Sequence, residues 1–294
     1  MEITVTSIEE YLQAIKKIKI SENVPLLWFR GQNRSEYRLL TPEARLSFKT
    51  TESLLIIPGF LKHLNDFKDF CKKQCRKQLK VLGNPKDDLE WSFLAQHCGA
   101  PTLLLDWTED PMIALFFAIN KLDPSDTGVN VFVCSPENLN HSVSDNTPVQ
   151  NYHGPVPVTE ETRDYLLRYI HFENNPSLPL CIKPSIQNYR LTRQSGNFII
   201  QGKDFTPFDL QDCGKFFHKI IIPRERFSYF KELLDLLQLN EQTIYGPQTP
   251  ADEYARELRK LVEEKFIDTK RYFVNSQKNL PLDKVSTQQY SKNK

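Results

Sequence analysis

The chain has 294 residues, with 38 Lys and Arg against 37 Asp and Glu, a formal net charge of +1. This length supports a sizeable hydrophobic core, in one large domain or two small ones, and excludes a stapled mini-protein or a long repeat array. The charge balance excludes a surface that seeks polyanions everywhere, so any nucleic-acid affinity needs a local patch. At 39% hydrophobic and 26% charged residues the composition is globular, and 19 Phe promise an aromatic-rich core.

Thr6 and Ser7 each have a Glu three residues on, and Ile8, Tyr11, Leu12, Ile15 and Ile18 follow at helical spacing, which predicts a helix from about Ser7 to Ile18. The same stretch has neither the cationic start nor the apolar run of a secretory signal. No stretch approaches 18 uncharged apolar residues, so a soluble, cytoplasmic protein without membrane contact is expected. Pro25 to Gly31 (PLLWFRG) is an apolar run closed by glycine and predicts a buried strand that delivers Arg30 to its end. From about Gly59 to Leu82 an apolar face alternates with lysines and arginines, predicting one basic amphipathic helix.

A helix over Asp88–Cys98 is broken by Gly99-Ala-Pro101, and Thr102 to Asp106 reads as a buried strand that runs into Trp107 and Thr108. Pro111 then opens a buried helix. Strands follow at 129–135, 197–201 and 217–223, and amphipathic helices at 224–239 and 252–266. The polar, proline-bearing segment 135–162 reads as a long loop or insertion, and residues 275–294 as a disordered tail. The six cysteines form no CxxC pair and no metal-like spacing, so buried thiols and no metal are expected. Strands and helices mix without a regular βαβ rhythm, which predicts an α+β domain over 1–270 built on a single mixed sheet.

The most specific run is Trp91-Ser-Phe-Leu-Ala-Gln-His97-Cys-Gly-Ala-Pro101-Thr-Leu-Leu-Leu-Asp106-Trp-Thr108-Glu-Asp-Pro111-Met-Ile-Ala114-Leu-Phe-Phe-Ala118. Together with Trp28-Phe-Arg-Gly-Gln32, Tyr37 to Pro42 and Arg190 to Phe198, it closely resembles the FRG domain family over about Ile8 to Leu261. The family's late acidic segment has no match here, where Ile244 to Glu253 stands instead. At the level of layout the sequence also resembles ADP-ribosyltransferases, with Phe29-Arg30-Gly31 as the first element and Asp106-Trp107-Thr108 as the second. That resemblance implies NAD as co-substrate, with Arg30, Asp106 and Gln194 as catalytic residues and Arg30, Gly31, Trp107 and Thr108 binding the cofactor. Asp252 and Glu253 are alternatives to Gln194, because no glutamate stands on the late strand.

An always-charged guanidinium suits a phosphate or ribose, and a carboxylate suits the positive charge that develops when nicotinamide leaves. The implied role is a toxin or effector of a bacterial toxin–antitoxin or anti-phage defence system. It would modify nucleic acid or protein and be held by an antitoxin-like partner, and Lys72, Lys73, Arg76, Lys77 and Lys80 would form a nucleic-acid patch. Taken alone, the residues also fit a buried Arg30–Asp106 ion pair, a helix-capping Asp106 and core tryptophans at 28 and 107. A non-catalytic module that binds a nucleotide or nucleic acid and a nuclease-like enzyme without NAD are the competing classes.

Overall fold

The computed structural model describes residues 1–47, 56–122, 127–143, 152–173, 178–184, 196–246 and 249–265. Among the described residues, eight strands form one mixed sheet in the order β1-β8-β4-β2-β3-β7-β6-β5. They are β1 (Glu2–Thr4), β2 (Trp28–Gln32), β3 (Leu104–Thr108), β4 (Gly128–Cys134), β5 (Val156–Pro157), β6 (Leu180–Lys183), β7 (Gly196–Ile200) and β8 (Phe217–Pro223). The outermost pairs, β1 with β8 and β5 with β6, are parallel; every inner pair is antiparallel. The expected α+β architecture, with an N-terminal helix and further helices flanking a mixed sheet, is what the chain adopts.

Helix α1 (Ile8–Glu22) starts where the capping signal lies. The Ser7 hydroxyl accepts the Glu10 N–H, and Glu10 reaches back to the Thr6 N–H at 2.6 Å. It ends at Asn23 in the left-handed region, φ 53°, a position Asn tolerates. Helix α6 (Pro111–Ile119) is capped by Asp110, whose carboxylate accepts the Met112 N–H at 2.8 Å, and has Pro111 in its first turn. Its nearly all-apolar sequence fits its place between β2 and α1, where the Tyr11 hydroxyl donates to the Pro111 carbonyl at 2.7 Å.

One face of the sheet carries two clusters side by side. Val129, Val131, Ile220 and Ile222 pack under α1, α6 and α9 (Phe227–Leu236), whereas Leu104, Leu180, Phe198 and Ile200 pack under α5 (Asp88–His97) and α8 (Glu160–Ile170). The opposite face buries Trp28, Leu105, Trp107, Phe132 and Ile199. Each such aromatic or aliphatic side chain contributes about 1.5–3 kcal/mol by leaving water.

Several sequence expectations are revised. The basic helix of 59–82 is two helices, α3 (Ile56–Gln74) and α4 (Arg76–Leu82), broken at Cys75, whose ψ of 31° takes it out of the helical region. Within 135–162, read as a loop, Pro136–Val143 form helix α7 and Val156–Pro157 form β5. The signal for α7 was present: Ser135 caps it, its hydroxyl accepting the Asn138 N–H at 3.1 Å, with Pro136 in the first turn. Residues 275–294 lie outside the described residues. The remaining helices are α2 (Pro42–Ser47), α10 (Glu241–Tyr245) and α11 (Pro250–Lys265).

Candidate functional site

The sheet is joined unevenly. Strands β2 and β4 are in register over five residue pairs from Trp28↔Cys134 to Gln32↔Asn130, and β3 and β7 over five from Leu104↔Ile200 to Thr108↔Gly196. Between β2 and β3 the register is the single pair Phe29↔Thr108. Beyond that pair the two strands splay, and the backbone groups on their facing edges lose their ladder partners. A cavity of about 690 Å³ opens there, roofed by α5 on one side and the end of α6 on the other.

Arg30 bridges the wedge. Its Nη1 donates to the backbone carbonyl of Asp106 at 2.8 Å, supplying the bond that a continuous ladder would have made. The ion pair considered above is therefore absent: the Asp106 carboxylate instead accepts from Gln96 Nε2 at 2.6 Å through Oδ2. Gln96 is itself oriented by the Thr102 hydroxyl, which donates to its amide oxygen and accepts the Leu104 N–H at 3.2 Å. Asp106 faces the cavity from an otherwise buried strand and caps no helix; that task falls to Asp110. Arg30 Nε is buried without a hydrogen-bond partner among the described residues, an expensive state for a charged group.

A second arginine lines the same cavity. Arg45, on α2, was missed in the sequence because that short helix carries no motif; Thr41, which caps it and accepts the Ala44 N–H at 3.3 Å, marks the helix but not the direction of Arg45. Burial, and then the like charge of Arg30, push the Arg45 guanidinium down from its ordinary value, against the opposing pull of Tyr37 and Asp106. Burial likewise lowers Arg30, with Asp106 opposing. A guanidinium stays charged at neutral pH, so the site holds two neighbouring positive charges that an anion would relieve.

The other expected residues fare differently. Gly31 lines the cavity, but a Cβ there would lie 1.9 Å from the Ala114 carbonyl oxygen and 2.6 Å from the Ala118 nitrogen, so its glycine character serves the packing of α6 on β2. Trp107 is 2% exposed and packs against Phe217 at 5.9 Å, and it also lines the cavity. Two aromatic pairs line the cavity, Phe93 stacked on Phe198 at 5.2 Å and Phe117 edge to face with Tyr245 at 6.5 Å. The buried Thr108 accepts the Asp110 N–H at 3.1 Å and lines the cavity floor. Gln194 falls outside the described residues. Asp252 is a capping residue of α11, its carboxylate accepting from Thr249 N–H and hydroxyl at 2.9 and 2.6 Å, and neither it nor Glu253 lines the cavity.

Of the basic patch, Lys72, Lys73, Arg76, Lys77 and Lys80 are all exposed. Lys72 lies over the Trp91 ring at 5.6 Å and Lys73 pairs with Asp69 at 3.2 Å. The end of α4, Val81 to Gly83, reaches the cavity rim. Cys98, next to His97, is fully buried and its thiol is pushed up to about 12 by that burial, which removes it as a nucleophile.

No helix among the described residues is long and apolar enough to cross a membrane. No curated protein and no solved structure matches the chain. The family model of the FRG domain matches residues 26–127, a narrower span than the motifs suggested. That span contains β2, β3, α2, α5 and α6, and with them Arg30, Arg45, Gln96 and Asp106; the segment that builds most of the wedge is therefore an FRG domain.

Proposed function

We propose that the wedge between β2 and β3 binds NAD and transfers its ADP-ribose to a nucleic-acid or protein acceptor. One observation carries this reading: two adjacent arginines and one open carboxylate share a cavity of about 690 Å³. NAD presents the matching charges, two linked phosphates and a cationic nicotinamide ring. Arg30 keeps its second terminal nitrogen for the pyrophosphate, and Arg45 stands beside it. Asp106, with Oδ2 held by Gln96, turns Oδ1 toward the ribose. As the bond from C1′ to the nicotinamide nitrogen breaks, the electron pair leaves with neutral nicotinamide. The ribose cation is stabilised by Asp106, and the acceptor's nucleophile closes on C1′ and releases its proton to that carboxylate. The stacked Phe93 and Phe198 supply an apolar wall. Such an activity suits a toxin or effector of bacterial defence restrained by an inhibitory protein.

A specific observation favours a second reading, a nucleotide-binding module without turnover. Glu90 is the one glutamate of the cavity lining among the described residues, and it is taken by the Lys86 N–H at 2.8 Å and by Arg163 at 3.0 Å. Nicotinamide release and label transfer from NAD labelled in the adenylate separate the two. Release that falls at least a hundredfold in Arg30→Ala and Asp106→Asn supports the transferase. Saturable, Arg30-dependent binding without release supports the module. Metal-dependent cleavage of nucleic acid with no NAD binding overturns both in favour of a nuclease.

A further inference from the structure

Away from the wedge, the chain after β4 gathers three metal-competent side chains. Glu137 and His141 stand four residues apart on α7, which places them one turn apart on one face. His153, in the segment before β5, meets them there. One ligand atom of each residue lies within 4.8 Å of the other two. His153 Nδ1 is 3.8 Å from Glu137 Oε1, and the two imidazole rings meet edge to face at 6.4 Å.

Buried hydrogen bonds hold this grouping from beneath. Asn140, fully buried and adjacent to His141, donates through Nδ2 to the carbonyls of Gly154 at 3.0 Å and Cys181 at 2.9 Å, and accepts the Cys181 N–H at 2.8 Å. It thereby ties the neighbour of His153, and β6 behind it, to α7. Gly154 sits at φ 118°, a backbone conformation that favours glycine and turns the chain back at this point.

We propose that Glu137, His141 and His153 bind one divalent transition-metal ion, with zinc the best match, and leave its fourth position to water. Two imidazoles and a carboxylate suit zinc and its neighbours, whereas magnesium and calcium prefer all-oxygen shells. Metal–ligand bonds of about 2.0–2.1 Å in a tetrahedron separate the ligand atoms by roughly 3.3 Å. The side chains therefore need only a small rotation, which His141 and His153 can make because both are exposed, His153 to 87%. All six cysteines are buried, so no accessible thiol competes in the folded chain. The ion would clip α7 to the strand-bearing segment that follows.

The test titrates the full, tag-free chain with Co²⁺ and Zn²⁺. One equivalent is expected to bind, with the strong visible bands of four- or five-coordinate cobalt bleached by zinc. His141→Ala and His153→Ala should each weaken binding at least tenfold, with an unchanged far-UV spectrum. Should His141→Ala fail to fold, His153→Ala alone decides, since its side chain stands almost wholly in solvent. No saturable uptake at millimolar metal, or equal uptake by the variants, overturns the site.

Discussion

Arg45 tests the reading of the cavity at the level of single residues. Hydrogen bonds to charged groups are worth about 1.5–3 kcal/mol, so Arg45→Gln should weaken NAD about 10- to 150-fold in a calorimetric titration. Arg45→Lys should recover only part of that loss, because an ammonium lacks the planar fork that grips a phosphate twice. Full affinity in Arg45→Gln would remove the second arginine from the site. Gly31 makes the opposite prediction. Its missing Cβ lets α6 approach β2, so Gly31→Ala must separate the two elements and should lower stability by about 1–3 kcal/mol or more in chemical denaturation. A Gly31→Ala protein as stable as the wild type, with ligand binding lost, would return this glycine to the role of admitting a ligand.

At the scale of elements, two histidines clamp pairs of segments and titrate in opposite senses. His63 Nδ1 lies 2.9 Å from Glu43 Oε1, joining α3 to α2; the hydrogen bond to that carboxylate raises its pKa and outweighs burial. Its stabilisation is complete below the ordinary histidine value of about 6.5 and is lost as pH rises through the raised value. His218 on β8 sits between Glu22, at 2.7 Å, and the chain's first ammonium group, at 3.2 Å. Burial lowers its pKa, with Glu22 opposing and the ammonium assisting. The stability that its neutral form supports is present above about pH 6.5 and declines as pH falls from there through the lowered value. Denaturation midpoints against pH should therefore peak near that point, with His63→Gln flattening the alkaline limb and His218→Gln the acid one. Limbs that persist in both variants would assign the slopes to other groups.

These same elements show what a sequence can carry. Helices α1, α5 and α6 begin at side-chain caps, local signals that need no knowledge of the rest of the chain. The break at Cys75 left no trace because Cys71, Cys75 and Leu79 keep an unbroken apolar spacing across it; that spacing is satisfied by two helices packed on the same cluster. Strands β1, β5 and β6 span 3, 2 and 4 residues, too short for an alternating pattern to register. Arg30, Asp106 and Thr108 were legible because they stand within a specific motif; the strand expected to end at Arg30 runs on to Gln32, so Arg30 and Asp106 are mid-strand and only Thr108 closes its strand. Arg45, Gln96 and Phe93 reach the cavity only through helix orientation, which depends on tertiary packing.

The sheet is two halves whose ladder is joined by one residue pair, with Trp28, Leu105, Trp107 and Phe132 packed across the seam, and that arrangement places the ligand site at the open end of the seam. Edge amides of β2 and β3 that face the wedge lack ladder partners beyond Phe29↔Thr108, whereas the inner edges toward β4 and β7 are fully paired. In hydrogen exchange the wedge-facing amides within 30–32 and 105–106 should therefore open at low free energy, well below the paired amides of β4 and β7. A ligand seated between Arg30, Arg45 and Asp106 bridges the two halves, so NAD should slow exchange at these positions and on α2. At a hundred times the dissociation constant it should stabilise the fold by about 2.7 kcal/mol. Arg30→Ala should abolish both effects, because that side chain is the protein's own bridge across the wedge. Protection that appears instead on the exposed faces of α3 and α4, with the wedge unchanged, would place the nucleotide on the lysine-rich helices and remove the cavity from its recognition.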